Sequence, residues 1–325
     1  MLFSKGLEIK SFKEKLEDII ELDNLYFAYL KTKKTKVKPW AREKMLLFEK
    51  DLGKNLFNIQ DSILNDLENY KAQYTVFDIF DKKHRTILAP SLKDCIAQRA
   101  IYDYLNPFYE RTFIHNSFAC RPGKGIHTCK DKTKEIFKNS NCLIQMDIEK
   151  YFDSIEHKIL LDILAKRIKD KNILFLLSKY FGVNKQGLPM GNLLSQLFSN
   201  IFLNELDQYV VNYLKLKYIR YMDDFVISTN SLKQAQEIKF QIEDYLYNYL
   251  NLNLSKYSYN FKYLNFAGYR HFKGDIYRTE IRKSHYRTFT QGIEQNKYYK
   301  SVSILGLSQG TNTFLKLQGE LNDIL

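Results

Sequence analysis

Three aspartates stand among apolar neighbours, where a carboxylate needs a partner. Asp147 lies near the end of Leu143-Ile144-Gln145-Met146-Asp147-Ile148. Asp223 and Asp224 sit side by side in Tyr221-Met222-Asp223-Asp224-Phe225-Val226-Ile227. A carboxylate that ends a buried strand is costly unless it is paired or binds a cation. Two adjacent carboxylates at a tight turn repel, which raises one pKa or recruits a divalent metal. Three Asp oxygens with water and phosphate make an octahedral site suited to Mg2+. Two such ions about 4 Å apart would clamp the attacking and leaving oxygens of an in-line phosphoryl transfer. An isolated Asp-Asp more commonly just makes a hairpin turn. The third carboxylate, at the end of a second buried strand, weakens that plainer reading.

The elements that must position these groups follow from periodicity and turn chemistry. Residues 8 to 30 and 43 to 70 carry apolar positions at helical spacing, separated by the basic run Lys31 to Lys38 and Pro39-Trp40-Ala41-Arg42. That run reads either as a solvated linker or as a phosphate-tracking arm with one stacking aromatic. Tyr74 to Leu88 is strand-like, with a turn at Asp81-Lys82-Lys83, and Leu92 to Tyr109 is helical. Asn141 to Ile148 reads as a buried strand, Ile155 to Ile168 as a helix, and Leu193 to Leu214 as one long helix. Lys217 to Tyr221 and Phe225 to Ser228 read as strands joined by Met222-Asp223-Asp224. Ser231-x-x-Gln234 has capping-box form and opens a helix to about Leu250. Phe261 to Phe272 and Asp275 to Arg278 suggest a final hairpin turned at Lys273-Gly274. Strands and helices are mixed without strict alternation, so the fold class is α+β.

Composition narrows the partners. The 325 residues carry 50 Lys and Arg against 37 Asp and Glu, a formal net charge of +13, which favours a polyanion: nucleic acid or an acidic membrane surface. Only 11 of the 50 are Arg, and Lys, Asn, Tyr, Phe and Ile share A/T-rich codons, so base composition accounts for part of this excess. The N-terminus lacks the apolar core of a signal peptide, and no run approaches 18 uncharged apolar residues. The expectation is a cytoplasmic protein with no membrane partner. Cys95, Cys120, Cys129 and Cys142 have no zinc-finger spacing and read as reduced structural thiols.

With these residues in view, Arg220-Tyr221-Met222-Asp223-Asp224 resembles the signature of reverse transcriptases, and motifs in that family's order run from about residue 74 to 290. Leu143 to His157 resembles the first palm motif. Gly187-Leu-Pro-Met190-Gly191-Asn-Leu-Leu-Ser195-Gln196 resembles the motif beside the nascent base pair, and Phe266-Ala267-Gly268-Tyr269 the primer-grip hairpin. Asp81-Lys-Lys-His-Arg85 and Ser117-Phe-Ala-Cys-Arg121-Pro-Gly-Lys-Gly125 resemble finger motifs.

The resemblance implies a right-hand polymerase: a helical extension over 1–72, fingers over 73–140, a palm over 141–275 and a short thumb over 276–325. It implies that Asp147 and Asp223 bind two Mg2+ ions, with Asp224 as a weaker ligand and the Ile148 carbonyl completing one shell. A primer 3′-hydroxyl would attack the α-phosphate of a dNTP. Phe152 would be a steric gate against a ribose 2′-hydroxyl, and Arg85 and Lys83 would hold the triphosphate. Lys256 would protonate pyrophosphate, a solvated Lys being the alternative. Arg121 would contact template or nucleotide, a structural role being the alternative.

Met190 and Ser195-Gln196 depart from the common family pattern and are similar to the reverse transcriptases of diversity-generating retroelements. That implies error-prone copying of a template RNA into cDNA from a primer, with a small basic accessory protein as partner. Met190 cannot offer the hydrogen bonds of a Gln, so the pocket would discriminate by shape. Two rival readings remain: an antiviral-defence or retron-type reverse transcriptase making cDNA from a noncoding RNA, and a non-catalytic RNA-binding protein on a polymerase scaffold.

Overall fold

The segment Cys142–Ile148 is apolar on both faces for most of its length, and such a strand is stable only inside a sheet covered on both sides. The computed structural model describes residues 11–36, 39–80, 84–182, 184–274, 277–295 and 297–322. Helices α1 (Leu16–Ile19), α2 (Leu22–Thr35), α3 (Pro39–Glu49) and α4 (Leu52–Leu64) come first. The hairpin β1 (Tyr74–Phe80) and β2 (His84–Pro90) precedes α5 (Leu92–Glu110) and α6 (Ile126–Lys138). Strand β3 (Cys142–Ile148) leads to a single turn, α7 (Tyr151–Ser154), then α8 (His157–Ala165), α9 (Lys171–Ser178) and α10 (Leu193–Gln208). A π-helical turn, Tyr209–Tyr213, continues α10. Next come β4 (Tyr218–Tyr221), β5 (Asp224–Thr229), α11 (Leu232–Leu250) and β6 (Leu254–Asn260). Three short strands, β7 (Tyr263–Phe266), β8 (Tyr269–Phe272) and β9 (Arg278–Ile281), lead to α12 (Lys283–Glu294), α13 (Tyr298–Ser308) and α14 (Phe314–Asn322).

The chain folds as two compact units. The first takes the described residues of 1–113, 150–206 and 248–252, and the second those of 114–149, 207–247 and 253–325. In the first unit, α2 packs on α5, and Leu25 and Ala28 of α2 and Ile96, Ala97, Ala100 and Ile101 of α5 are buried. Buried Asp94 accepts from Tyr70 Oη at 2.7 Å, the Gln73 amide at 2.9 Å and Ser91 Oγ at 2.6 Å, tying the start of the β1–β2 hairpin to α5. The segment 187–191 is held by its backbone. Gly187 N donates to Ile155 O, Leu188 N to Phe152 O, and Leu88 N to Met190 O.

The second unit holds two antiparallel sheets, in strand orders β4-β5-β3-β6 and β7-β8-β9. One face of the larger sheet carries Leu143, Ile219 and Val226, which join Cys129, Ile136 and Phe137 of α6 and Leu264 and Phe266 of β7 in one core. A second core of Tyr269, Ile281, Phe289, Leu317 and Leu321 binds α12 and α14 to the smaller sheet. Among the described residues, no helix is long and apolar enough to cross a membrane.

Several elements differ from the expectations. The basic run is not a loop: α2 continues to Thr35, with Lys31 paired to Asp103 at 2.8 Å and Lys33 to Glu49 at 2.7 Å. Val37 and Lys38 lie outside the described residues, as does the side chain of Trp40. The region 43–70 holds the end of α3 and a separate helix, α4, and the long helix from Leu193 changes to a π turn after Gln208. Residues 261–272 are not one strand. They reverse at Ala267 and Gly268, whose φ values of +45° and +84° make the tight turn, and the expected turn partner Asp275 lies outside the described residues. Strand β6 was unforeseen because its mostly exposed Ser, Lys, Tyr and Asn residues carry no apolar alternation. The Ser231 cap forms: Ser231 Oγ accepts from Gln234 N at 3.2 Å, while Gln234 Oε1 accepts from Asn230 N at 2.7 Å.

Gly191 has φ of +96°, and an added Cβ would lie 2.8 Å from Ile87 Cγ2. Gly191→Ala is expected to destabilise the fold by about 1–3 kcal/mol, read as a lowered thermal midpoint. Gly53→Ala, in α4 with no atom within 4 Å of the new methyl, is expected to stabilise by about 0.5–1 kcal/mol in the same assay.

Candidate active site

Register brings the acidic groups together. Asp147 of β3 pairs with Asp224 of β5 on one side and with Lys256 of β6 on the other, so the three side chains stand in a row on one sheet face. Asp223 occupies the two-residue turn between β4 and β5 with Met222, across which Tyr221 pairs with Asp224. The same sheet face thus runs from apolar packing at Leu143 and Val226, through Gln145, to the carboxylates at its end. A register shift at Asp147/Ile148 interrupts the β3–β6 ladder beside the row.

Each carboxylate has its own surroundings. Lys256 Nζ lies 3.1 Å from Asp147 Oδ2, and Ser255 Oγ donates to Asp147 O at 3.1 Å. Gln145 Nε2 donates to Asp224 Oδ1 at 2.9 Å and also to Asn265 O at 2.9 Å, linking the site to β7. Burial raises the pKa of Asp223, and the Asp147 charge adds to it, partly offset by Lys256 and Arg220. Asp224 is pushed up to about 7, chiefly by burial and then by Asp147 and Asp223, against the lowering bond from Gln145 and the Arg282 charge. The cationic groups nearby only partly offset the burial and mutual repulsion of Asp223 and Asp224.

Among the described residues, no three carboxylate, imidazole or thiol groups converge as a closed ligand set. Like charges instead turn to the nearest compensating groups, Asp147 to Lys256 and Asp224 to Gln145. The donor chemistry fits a hard divalent cation: three carboxylates within Coulombic reach of one another, two of them with pKa values raised by burial.

The other expected residues fall in three groups. Phe152, Met190, Gln196 and Arg85 belong to the first unit. Phe152 sits on α7 with its carbonyl bonded to Leu188 N, Met190 lies on the segment 187–191, and Gln196 and Arg85 are exposed. Lys83 lies outside the described residues. Arg121 has a buried guanidinium that donates to Ile114 O and Ser117 O, each at 2.7 Å, bracing the loop before α6. Phe266, Ala267 and Tyr269 are core residues, with Tyr269 Oη donating to Leu307 O at 2.8 Å, so of this motif it is the turn backbone at Ala267-Gly268 that stays available.

Sequence reasoning missed the open surface of that small sheet. Tyr263, Asn265, Arg270, Arg282 and Lys283 line a cavity of about 320 Å³. Arg270 lies over the Tyr263 and Phe272 rings at 5.6 and 5.1 Å, and Arg282 Nε is buried without a hydrogen-bond partner. The period-2 alternation Tyr263/Asn265 against Leu264/Phe266 was the available signal. Asp207 was also missed; it pairs with Arg220 beneath the turn, at 2.7 Å and fully buried.

The larger sheet thus ends in three carboxylates, and a cationic cavity lies on the adjoining sheet. The family profile described as reverse transcriptase (RNA-dependent DNA polymerase) matches residues 71–309, and the chain belongs to that family, with its fingers and palm of mixed α+β structure. Protein YkfC of Escherichia coli K12 is 28% identical over 223 residues, covering 53% of this chain and 58% of YkfC. The group II intron-encoded protein LtrA of Lactococcus lactis subsp. cremoris is 26% identical over 248 residues, 54% of this chain and 41% of LtrA. The putative COX1/OXI3 intron 2 protein of Saccharomyces cerevisiae is 32% identical over 131 residues, 37% of this chain and 15% of that protein. The chain thus spans about half the length of YkfC and LtrA.

Because Asp224 is raised toward 7, the folded protein binds more protons than the unfolded chain between about pH 4 and 7. Stability of the metal-free protein is therefore expected to fall as pH rises through that window and to level off above it. Asp224→Asn is expected to flatten this dependence and to raise the metal-free thermal midpoint at pH 8 by about 3 °C or more. Adding Mg2+ at pH 8 is expected to raise the midpoint of wild type more than that of the variant.

Proposed function

We propose that the chain is an RNA-directed DNA polymerase that adds dNTPs to a primer 3′-hydroxyl on a template RNA, producing cDNA. The observation that carries this is the in-register row Asp224–Asp147–Lys256 with Asp223 on the adjoining turn, in a chain of the reverse transcriptase family. Asp147 and Asp223, with Asp224 and the Ile148 carbonyl, are the oxygens that would hold two Mg2+ ions. Bound there, the ions would acidify the primer hydroxyl and neutralise the developing phosphate charge.

The chain's own residues do the rest. Gln145 keeps Asp224 oriented by a bond it shares with the β7 backbone. Lys256, three-quarters exposed, is free to swing from Asp147 to the leaving pyrophosphate and donate its proton. Arg85, with Lys83, would bind the triphosphate, and Phe152 would exclude a 2′-hydroxyl. The Arg270, Arg282 and Lys283 cavity, with Tyr263 at its edge, suits a phosphodiester backbone, since guanidinium forks match phosphate oxygens. On this reading the fingers would span 73–140, the palm 141–275 and the short thumb 276–325.

The template class rests on the 187–196 segment. Met190 presents a thioether where a Gln would offer hydrogen bonds, which supports error-prone copying as in diversity-generating retroelements, with a basic accessory protein as partner. A second reading is favoured by the similarity to LtrA, whose name ties it to a group II intron: copying of an intron-type RNA. RNA co-purified with the protein and sequenced separates the two.

Wild type with Mg2+ is expected to extend a primer on an RNA template, and Asp223→Ala to reduce this to background; equal incorporation by both would overturn the site. Lys256→Ala is expected to lower kcat about 100-fold with little change in dNTP KM. Arg270→Ala combined with Arg282→Ala is expected to weaken primer–template binding and to reduce its log–log salt slope by about 1 for each phosphate no longer neutralised. Met190→Gln is expected to yield cDNA with fewer substitutions, read by sequencing; identical error spectra would remove the fidelity argument.

A further inference from the structure

Asp207 and Arg220 are buried charges for which the chemistry above has no use. Asp207 is 0% exposed and Arg220 1%. They form a two-pronged pair, Arg220 Nε to Asp207 Oδ1 and Nη2 to Oδ2, both at 2.7 Å. Arg220 faces away from the carboxylate row, since it pairs with Phe225 on the sheet's other face. Its guanidinium also reaches Met222 O at 3.0 Å and Ser117 Oγ at 3.1 Å. The main chain of Arg220 is held as well: its N donates to Asn116 O, and its O accepts from Phe118 N, each at 3.0 Å.

The Met222 carbonyl belongs to the peptide that carries Asp223. Met222 has φ of +58°, a left-handed conformation that a side chain bearing Cβ disfavours. Left alone, such a turn relaxes; a bond to its carbonyl from a fixed donor opposes that. Arg220 is fixed because Asp207 grips it at the end of α10, where the helix widens into a π turn and Tyr209 stacks on Tyr245 at 4.1 Å. A buried ion pair is a poor source of stability, because apolar replacements are often neutral or better.

We propose that the Asp207–Arg220 pair is a positioning device that sets the Met222–Asp223 peptide and so holds the Asp223 carboxylate where a divalent cation and the reacting phosphate need it. The proposal rests on the reading of Asp223 as a catalytic carboxylate. A merely structural pair would be replaceable by packing; a positioning pair would not.

The test is the full-length double variant Asp207→Leu/Arg220→Met, beside wild type, Arg220→Lys and Asp223→Asn. Three quantities are read: the metal-free thermal midpoint, the Mg2+ concentration giving half the Mg2+-induced thermal shift, and kcat with primer–template Kd. The double variant is expected to keep its midpoint within about 4 °C of wild type or above it. Its Mg2+ half-point is expected to rise about tenfold and its kcat to fall about 10–100-fold, with Kd unchanged. A stable double variant with wild-type Mg2+ half-point and kcat overturns the proposal. Should the double variant not fold, Arg220→Lys keeps the buried charge but loses the fork and the reach to Met222. Wild-type values for that variant overturn the proposal equally. If wild type itself fails to extend primers, the polymerase reading fails, while the Mg2+ half-points still judge the positioning role.

Discussion

The constraint on which this structure turns is mutual repulsion among three carboxylates held at the end of one sheet face. Asp147 and Asp224 are directly paired across β3 and β5, where like charges are unfavourable, and Asp223 is one residue away. The fold answers with unequal compensation. Asp147 has a flexible, solvent-facing Lys256; Asp224 has the neutral amide of Gln145 and the charge of Arg282; Asp223 is held by burial, with Lys256 and Arg220 only partly offsetting it. Such a site is short of positive charge, which is what a site for divalent cations and phosphate requires.

Holding charges in that arrangement needs rigid supports, and the supports are themselves polar. Gln145 joins Asp224 to β7, whose outer face opens onto the cavity lined by Arg270 and Arg282. The carboxylates and the cationic cavity are therefore linked both by this amide and by the apolar core the two sheets share. Arg220, on the opposite face, reaches the turn from below. Asp224 and the turn carrying Asp223 are thus each steered by a group anchored elsewhere, so the site keeps its shape without filling itself.

How much of this was legible depended on whether a residue acts by its type or by its register. The aspartates were legible, because a carboxylate in an apolar run carries its own signal. The strands β3, β4 and β5 were legible for the same reason, since their apolar density leaves few alternatives. Strand β6 was not, because an edge strand of Leu-Ser-Lys-Tyr-Ser-Tyr-Asn has no alternation, and with it went the pairing of Lys256 to Asp147. The Phe266–Tyr269 motif straddles a turn where periodicity reads a continuous strand, and the side chains of Phe266, Ala267 and Tyr269 are core. The residues that line the cavity are those of opposite parity, which a motif quoted as a block does not separate. The partner of Arg220 lay 13 residues away in an apolar helix, and nothing in local spacing pairs Asp207 with it.

The segment 187–191 shows the same division of labour in the first unit. Its backbone is fixed by Gly187 N to Ile155 O, Leu188 N to Phe152 O and Leu88 N to Met190 O, and Gly191 approaches Ile87 more closely than any Cβ would permit. The main chain around Met190 and Phe152 is therefore a rigid mount. A rigid mount with a flexible thioether at its tip resists displacement as a whole while adapting its surface locally. On the proposed function, discrimination at this position would come from the volume Met190 fills rather than from any bond it forms. Wrong bases that preserve the shape of the pair would then pass, whereas wrong sugars would still meet Phe152, a ring whose carbonyl is tied to the same mount. On that reading, loose base choice and strict sugar choice would be compatible, because the two side chains stand on one hydrogen-bonded main-chain mount but would act by different contacts.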